Sequence, residues 1–584
     1  MDNSKQNVEQ DQQDDQMILK NNEDQKQEQK NNDQSHQNQN VENHNKQEKP
    51  PFSIMTLQQL VDKPRKIRQH KKITIDLTKC QYEILREVAQ LFNWNIIDNS
   101  ENYENEVKSD FNIKWYDSYI QEDQLRALLP YQKINRFPGS NNLGRKNLLA
   151  KYLIKLQKVH PEDYSFFPRT WLLPNQLEEL RSFTQKCNFS KYLIVKPENQ
   201  SQGKGIYLTK KIDKNLDSQD HFVIQEYITN PYLIDNLKFD LRIYVLLKSV
   251  CPLKIFIYKE GLVRFATQEY AKPNKQNQQN LMMHLTNYAI NKKSDKFQFN
   301  TNQDDDNKGH KRSLSSFLIE LQQKGINVEN LWDQIKQVVV KTFCSCIPNI
   351  QHIYKSCQPK EENNEISFEL FGFDIFLDEK LKPYLLEVNH TPSFSTDTPL
   401  DHQIKKSLIL DTLILENIMW KTRVRYFDQK NNANPSIKGG SNNRMSKEDI
   451  QIQKEKRITW EQNNIGGYEQ IYPELYDEEL QKQYDKFKQS AQDQFDQFSG
   501  ANIQRAQKKE YKKELPPIKI NGANTNKFTQ NQQSNKTTNN NQNAQKQYKS
   551  QLRYTASHYW QLEYIKKQTP HQQRQYISLI QICQ

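Results

Sequence analysis

The chain has 584 residues, of which 35% are hydrophobic against about 45 to 50% in ordinary globular domains, so part of its length cannot bury a core. With 83 basic and 71 acidic residues it carries a net charge of +12, which favours an anionic partner, either nucleic acid or an acidic protein surface. There is no apolar run long enough for a bilayer, no hydrophobic opening segment of the secretory kind, and no CxxC pair or disulfide ladder among the 7 cysteines. These features exclude a membrane span and a disulfide scaffold and point to the cytosol.

In chain order, residues 1–69 form a first tract, dominated up to about position 50 by Gln, Asn and charge, which is expected to be disordered. The catalytic region is expected at 70–430. ITIDL (73–77) predicts a strand, and the spacing of Ile84, Leu85, Val88, Ala89 and Phe92 predicts a helix, together opening a small α/β subdomain. A Pro-Gly loop then leads into a helix starting near Lys146, whose ammonium either reaches a phosphate or is simply solvated. FFPRTWLLP (166–174) reads as a rigid connector bounded by prolines.

Two apolar strands, YLIVK and GIYLT, flank a loop with Gly203 and Gly205. Lys196 closes the first strand, where a cation can meet an α- or β-phosphate, and the glycines let backbone N–H groups approach; an ordinary hairpin is the plainer alternative. No GxxxxGK[ST] motif occurs. HFVIQEYITNPYLI gives a buried strand ending in Gln225, Glu226, Tyr227 and Ile228, an exit that can offer backbone groups to an adenine edge. KFDLRIYVLL alternates strictly, with Lys238, Asp240 and Arg242 on one face and Phe239, Leu241 and Ile243 on the other. The charged face is either solvated or a cleft wall. Residues 255–271 read as a hairpin turning at Gly261, with Arg264 on the returning strand as a clamp for a small acid. HLTNYAINKK supplies Thr286 and Asn287, a polar loop over about 295–310 reads as disordered, and helices follow at 313–323 and 330–346.

FELFGFDIFLDEKLKPYLLEVNHTPSFS (368–395) reads as a β-hairpin carrying a metal site. Phe371, Phe373, Ile375 and Leu377 share one face and Asp374 takes the other; Leu386 and Val388 face the core, which puts Glu387 and Asn389 across the ladder from Asp374. Three oxygen ligands of this kind suit Mg²⁺. An amphipathic helix at 405–420 closes the region. Beyond it, 431–515 reads as a basic helical extension with solvated faces, an interaction appendage, and 516–584 as a low-complexity linker with a short C-terminal helix.

The ordered segments FPRTWLLP, KPENQSQGKGI, QEYI, KFDLRIYVL, GLVRFAT, HLTNYAINK, FGFDIFLD and LLEVNHTPSF resemble the tubulin tyrosine ligase-like family over about residues 70–425, and its glutamylating branch in particular. The fold class this implies is α/β (α+β), an ATP-grasp-like catalytic core with a small N-terminal subdomain, a helical basic C-terminal extension and disordered Gln/Asn-rich tracts. The resemblance implies that Lys146 and Lys196 contact the phosphates of ATP, that Gln202 and Gly203 belong to a loop covering it, and that Gln225 to Ile228 hold adenine. Lys238 and Asp240, with the intervening Phe239, would line the ribose and phosphate side; Thr286 and Asn287 also match nucleotide contacts. Asp374, Glu387 and Asn389 would hold Mg²⁺. Arg264, Tyr288, Lys311 and Lys405 match positions that receive free L-glutamate, and Arg242 and His390 match positions near the acceptor peptide. Arg136, before FPG, departs from the histidine expected there.

The resemblance thus predicts a polyglutamylase acting as a monomer on the acidic C-terminal tails of tubulin, in the cytoplasm and cytoskeleton at the ciliary axoneme or basal body. It would need neither nucleic acid nor membrane. The alternatives are a glycine ligase of the same family and a non-catalytic microtubule-binding adaptor.

Overall fold

The computed structural model describes residues 51–98, 110–198, 200, 203–212, 216, 220–301, 305–359, 361, 365–432 and 447–499. Gln202, the Gln/Asn-rich tract up to residue 50 and the tail expected at 516–584 lie outside the described residues.

Three sheets form the frame among the described residues. The first joins β1 (Thr74–Lys79), β2 (Asn95–Ile97), β3 (Ile113–Tyr116) and β4 (Lys133–Ile134) in the order β2-β1-β3-β4, all parallel. Parallel neighbours need a crossover, and the helix Glu83–Leu91 supplies it by burying Ile84, Leu85, Val88 and Ala89. The second sheet joins β5 (Thr170–Leu173), β6 (Leu193–Pro197), β7 (Tyr207–Thr209) and β8 (Phe222–Glu226) in the antiparallel order β5-β8-β6-β7. Residues 170–173, expected as a connector, are therefore an edge strand. Pro168 and Pro174 sit outside its ladder, where they remove no sheet hydrogen bond.

The third sheet has seven strands: β9 (Leu233–Ile234), β10 (Leu237–Val250), β11 (Leu253–Glu269), β12 (Lys311–Ser313), β13 (Glu369–Leu377), β14 (Pro383–Asn389) and β15 (Tyr468–Tyr472). Its main path runs β12-β11-β10-β13-β14, with β9 on β10 and β15 on β11. The expected hairpin at Gly261 is absent, because β11 continues through that residue and turns back to β10 at Cys251 and Pro252 instead. Gly261 pairs with Ile243 beside a register shift, and a Cβ there would lie 2.4 Å from the Arg242 carbonyl oxygen. The glycine serves a close backbone approach at a bulge, a signal that reads like a turn in sequence.

One face of this sheet packs Phe239, Leu241, Ile243, Phe371, Phe373 and Ile375 against the helix Val328–Cys357, which buries Leu331, Ile335, Val339, Phe343 and Ile350. Toward the β15 end, the other face is covered too, by Ile404, Leu408 and Leu413 of the helix Pro399–Glu416 meeting Tyr244, Leu246, Phe256 and Tyr258. Each fully buried large apolar side chain contributes on the order of 1.5 to 3 kcal/mol. At its far end this second face carries charges and is left to the cleft.

The ends of the folded body lie further out than the sequence suggests. Residues 51–69 include the helix Leu57–Val61 with Leu57 and Leu60 buried, and Arg65 donates to Asp411 at 2.7 Å. At the other end, β15 extends the sheet and the helix Glu478–Ser499 buries Tyr484, Phe487 and Ala491 in the main core. The helix Lys447–Asn463 is tied in as well, since Glu461 pairs with Lys254 at 2.6 Å and the Trp460 indole donates to the Ile414 carbonyl at 3.0 Å. The apolar positions of these helices are sparse among Gln and Lys, which makes a docked helix read as a solvated one.

Candidate active site

Strict alternation on β10 sends Lys238, Asp240 and Arg242 to the face opposite Phe239 and Leu241, and the ladder sets Arg264 of β11 across from Asp240 and Asp374 of β13 across from Arg242. This charged end of the seven-stranded sheet faces the sheet of β5 to β8 across a cavity. Lys146, Lys196, Gly203, Gln225, Glu226, Tyr227, Ile228, Lys238, Asp240, Thr286 and Asn287 line it, together with Asp374 and Glu387.

On the four-stranded side, Lys196 donates to the Gln225 side-chain oxygen at 2.6 Å, and Lys146 donates to the Gln200 carbonyl at 2.8 Å. Burial pulls Lys196 down to about 8 despite the attraction of Glu387. Gly203 has φ +80, and a Cβ on it would lie 2.4 Å from Ile290, so the loop closes against the cavity only with glycine there. The N–H groups of Glu226 and Tyr227 donate to the Arg169 and Tyr192 carbonyls, each at 2.8 Å, so both are engaged within the protein. Lys238 donates to the Tyr227 hydroxyl at 3.1 Å and to the His284 carbonyl at 2.8 Å, and burial pulls it down to about 7. Phe239 points the other way, into the core against Phe265 and Phe317, as alternation requires.

Asp374 is the hub of the opposite wall. Arg242 holds it through contacts of 2.6 and 3.1 Å, and Arg264 reaches it at 2.8 Å while also gripping Asp240 at 2.8 and 2.5 Å. Burial alone would raise the Asp374 pKa, but the two guanidinium groups hold it well below the usual carboxylate range. Glu387 lies beside it with no ion pair among the described residues, and burial and the Asp374 charge push its pKa up despite the attraction of Lys196 and Lys146. Asn389 places its side-chain nitrogen 3.3 Å from Asp374 and 3.5 Å from Glu387. Among the described residues no group of three or more His, Cys, Asp or Glu could hold a metal. Two adjoining carboxylates and an amide, with Glu387 in no ion pair among the described residues, still fit a hard divalent cation.

A bulge corrects the expected register of the hairpin. Asp374 pairs with Glu387 but Ile375 pairs with Leu385, so Leu385 and Val388 are the core residues and Leu386 faces the cavity. The extra residue lets Leu386 and Glu387 both serve the site side.

The residues expected to receive an amino acid form a second cluster. Lys311 donates to Asp401 at 2.6 Å and lies 3.7 Å from the Tyr288 ring centre; Lys405 reaches the other Asp401 oxygen at 2.9 Å; the Tyr288 hydroxyl donates to Asp397 at 2.8 Å. Arg264 is buried between Asp240 and Asp374 rather than free as a clamp. His390 packs over Gly144, where a Cβ would lie 2.1 Å from its Nδ1, and burial with the charges of Arg136 and Arg145 lowers its pKa to about 4. Arg136 itself is buried 3.7 Å from Glu369, whose pKa burial raises to about 7. Asp397, Asp401 and His284 were not picked out from sequence. The first two stand in the Ser-Thr-Asp-Thr-Pro-Leu-Asp run before a helix, where an acid reads as ordinary capping.

Residues 122–425 match the family described as the tubulin-tyrosine ligase family. A probable beta-tubulin polyglutamylase of Tetrahymena thermophila is 42% identical over 452 residues, covering 76% of this chain and 37% of the relative. Tubulin polyglutamylase TTLL6 of Homo sapiens is 39% identical over 415 residues (70% and 45%), and tubulin polyglutamylase TTLL7 of Homo sapiens is 37% identical over 441 residues (70% and 48%). The chain thus spans half or less of the length of these relatives.

Proposed function

The chain belongs to the tubulin-tyrosine ligase family, and from that premise we propose that it is an ATP-dependent tubulin polyglutamylase, joining free L-glutamate to glutamate side chains in acidic tubulin tails. The observation that carries the reading is the pairing of one cavity lined by Lys146, Lys196, Asp374 and Glu387 with a lysine cluster at Lys311 and Lys405. A triphosphate needs the first and an amino acid with carboxylates needs the second.

In this reading Lys146 and Lys196 orient the phosphates, the 225–228 segment takes the base, and Lys238, Asp240, Thr286 and Asn287 bound the sugar side. A divalent cation held by Asp374, Glu387 and Asn389 would, when bound, offset phosphate charge. Arg242 and the uncharged His390 face the acceptor carboxylate. That carboxylate attacks the γ-phosphorus, ADP leaves, and the amine of glutamate then displaces phosphate from the acyl phosphate to form an isopeptide bond. Lys311, Lys405 and Tyr288 hold the incoming glutamate, while Arg264, locked between Asp240 and Asp374, acts by keeping the carboxylate wall in place. The net charge of +12 steers acidic tails toward the protein, more weakly as salt rises. Work on the cytoskeleton, at the axoneme or basal body, follows from that substrate.

Purified protein with microtubules, ATP and labelled glutamate or glycine tests the reading, with mass spectrometry of the tails to locate the product. Glutamate incorporation is expected. Incorporation of glycine alone would transfer the site to the glycine ligase alternative, and microtubule binding without incorporation would leave the adaptor.

A further inference from the structure

The lysines that the proposed function assigns to the incoming amino acid are not held by the substrate pocket at large but by one carboxylate. Asp401 is fully buried at the third position of the helix Pro399–Glu416. Its Oδ2 accepts from Lys311 at 2.6 Å and from the Thr398 hydroxyl at 3.0 Å, its Oδ1 lies 2.9 Å from Lys405, and its own N–H donates to Thr398 at 3.2 Å. Lys405 donates in addition to the Ser395 carbonyl at 2.5 Å. The aspartate is thus fixed by the helix cap on one side and grips two cations that come from different elements on the other, β12 and the helix.

A lone lysine in this place would be badly off. Lys311 and Lys405 are themselves almost wholly buried, and a flexible four-carbon stem has no fixed geometry of its own. Burial lowers the Lys311 pKa while Asp401 works against that decrease, so the carboxylate keeps the ammonium charged as well as aimed. Asp397, reached by the Tyr288 hydroxyl at 2.8 Å, is the second acid that acts on Lys311, but it makes no ion pair with either lysine among the described residues, so Asp401 is the carboxylate that fixes them.

We propose that Asp401 is the positioning residue of the amino-acid subsite, holding Lys311 and Lys405 in register so that they select an amino acid with a side-chain carboxylate. The inference rests on the glutamate reading above and deepens it. Asp401 touches neither nucleotide nor acceptor in this arrangement; it acts through the two lysines.

The test is the full chain with Asp401→Asn and, should that variant fold poorly, Asp401→Glu, assayed on microtubules with ATP and labelled glutamate. Asp401→Asn is expected to raise KM for glutamate by about tenfold or more, with KM for ATP within about twofold of the parent. It also makes KM for glutamate rise more steeply with pH than in the parent, because Lys311, left with Lys405 beside it and Asp397 as the remaining nearby acid, loses its proton at lower pH than when Asp401 holds it. Asp401→Glu, which keeps the charge one methylene further out, is expected to recover part of the loss and the parent's shallower pH profile. A variant whose glutamate and ATP KM values shift together, or whose loss lies wholly in melting temperature and kcat, would overturn the assignment in favour of a helix cap. If the parent itself incorporates no glutamate, the proposed function fails and this inference with it; if the parent does and Asp401→Asn keeps its KM and its pH profile, only the inference fails.

Discussion

On the seven-stranded sheet, Asp240, Asp374, Arg242 and Arg264 satisfy one another through contacts of 2.5 to 3.1 Å; across the cavity, Lys196 rests on an amide oxygen at 2.6 Å and Lys146 on a backbone carbonyl at 2.8 Å. The first wall has settled its charge within the protein, and its geometry is fixed before any ligand arrives. The second rests its cations on neutral oxygens with no ion pair among the described residues, and burial lowers the pKa of Lys196 there despite the attraction of Glu387. A buried charge that the protein compensates is a positioning device, whereas one left on neutral oxygens marks where a ligand brings the missing charge.

Removing the hub of the compensated wall should have the largest effect. Asp374→Ala leaves two buried guanidinium groups short of an acceptor, so activity should fall by about a thousandfold or more and stability by about 3 to 5 kcal/mol, read by turnover and by chemical denaturation. Unchanged denaturation would mean that the wall is not held by its own charges. Lys196→Met on the other wall should show the opposite signature. Nucleotide affinity, measured by calorimetry, drops about ten- to a hundredfold, yet the melting temperature holds or rises because a desolvated cation has been removed. A smaller effect concerns pH. Lys238 at about 7 and Lys196 at about 8 are partly neutral in the free protein, and phosphates raise both, so binding takes up protons. Affinity is therefore full below pH 7 and lost as pH rises through 7 to 9, by at most about tenfold per unit for each proton taken up. Calorimetry in buffers of different ionisation enthalpy reads the uptake directly, and a binding constant flat from pH 6 to 9 would contradict it.

Much of this was legible in the residues. Period-two alternation gave the faces of β10 and β13 correctly, because a strand buried on one side cannot slip register without moving every apolar residue to the wrong face. The misreadings share a cause. Gly261, the bulge at Leu386 and the docked helices after residue 447 all depend on what lies across space, namely the Arg242 carbonyl, Asp374, and Lys254 with the helices Pro399–Glu416 and Val328–Cys357. Arg264 was readable as a charged residue on a sheet face but not as a captive one, since its two carboxylate partners stand on β10 and β13, more than twenty positions away.

β15 completes the fold in time as well as in space. Tyr468 to Tyr472 take their ladder places against Tyr258 to Ile255, partners translated long before them. The sheet under the cleft therefore remains a strand short while the ribosome works through the rest of the catalytic region, and the high sequence separation of that pairing makes its closure a slow, late event. A nascent chain stopped near residue 430 carries every residue of the two charge clusters and yet exposes an unfilled stretch of β11 edge, together with the apolar groove that Tyr484 and Phe487 would have covered. A shortened version that stops near residue 430 loses both β15 and the helix Glu478–Ser499 from the fold.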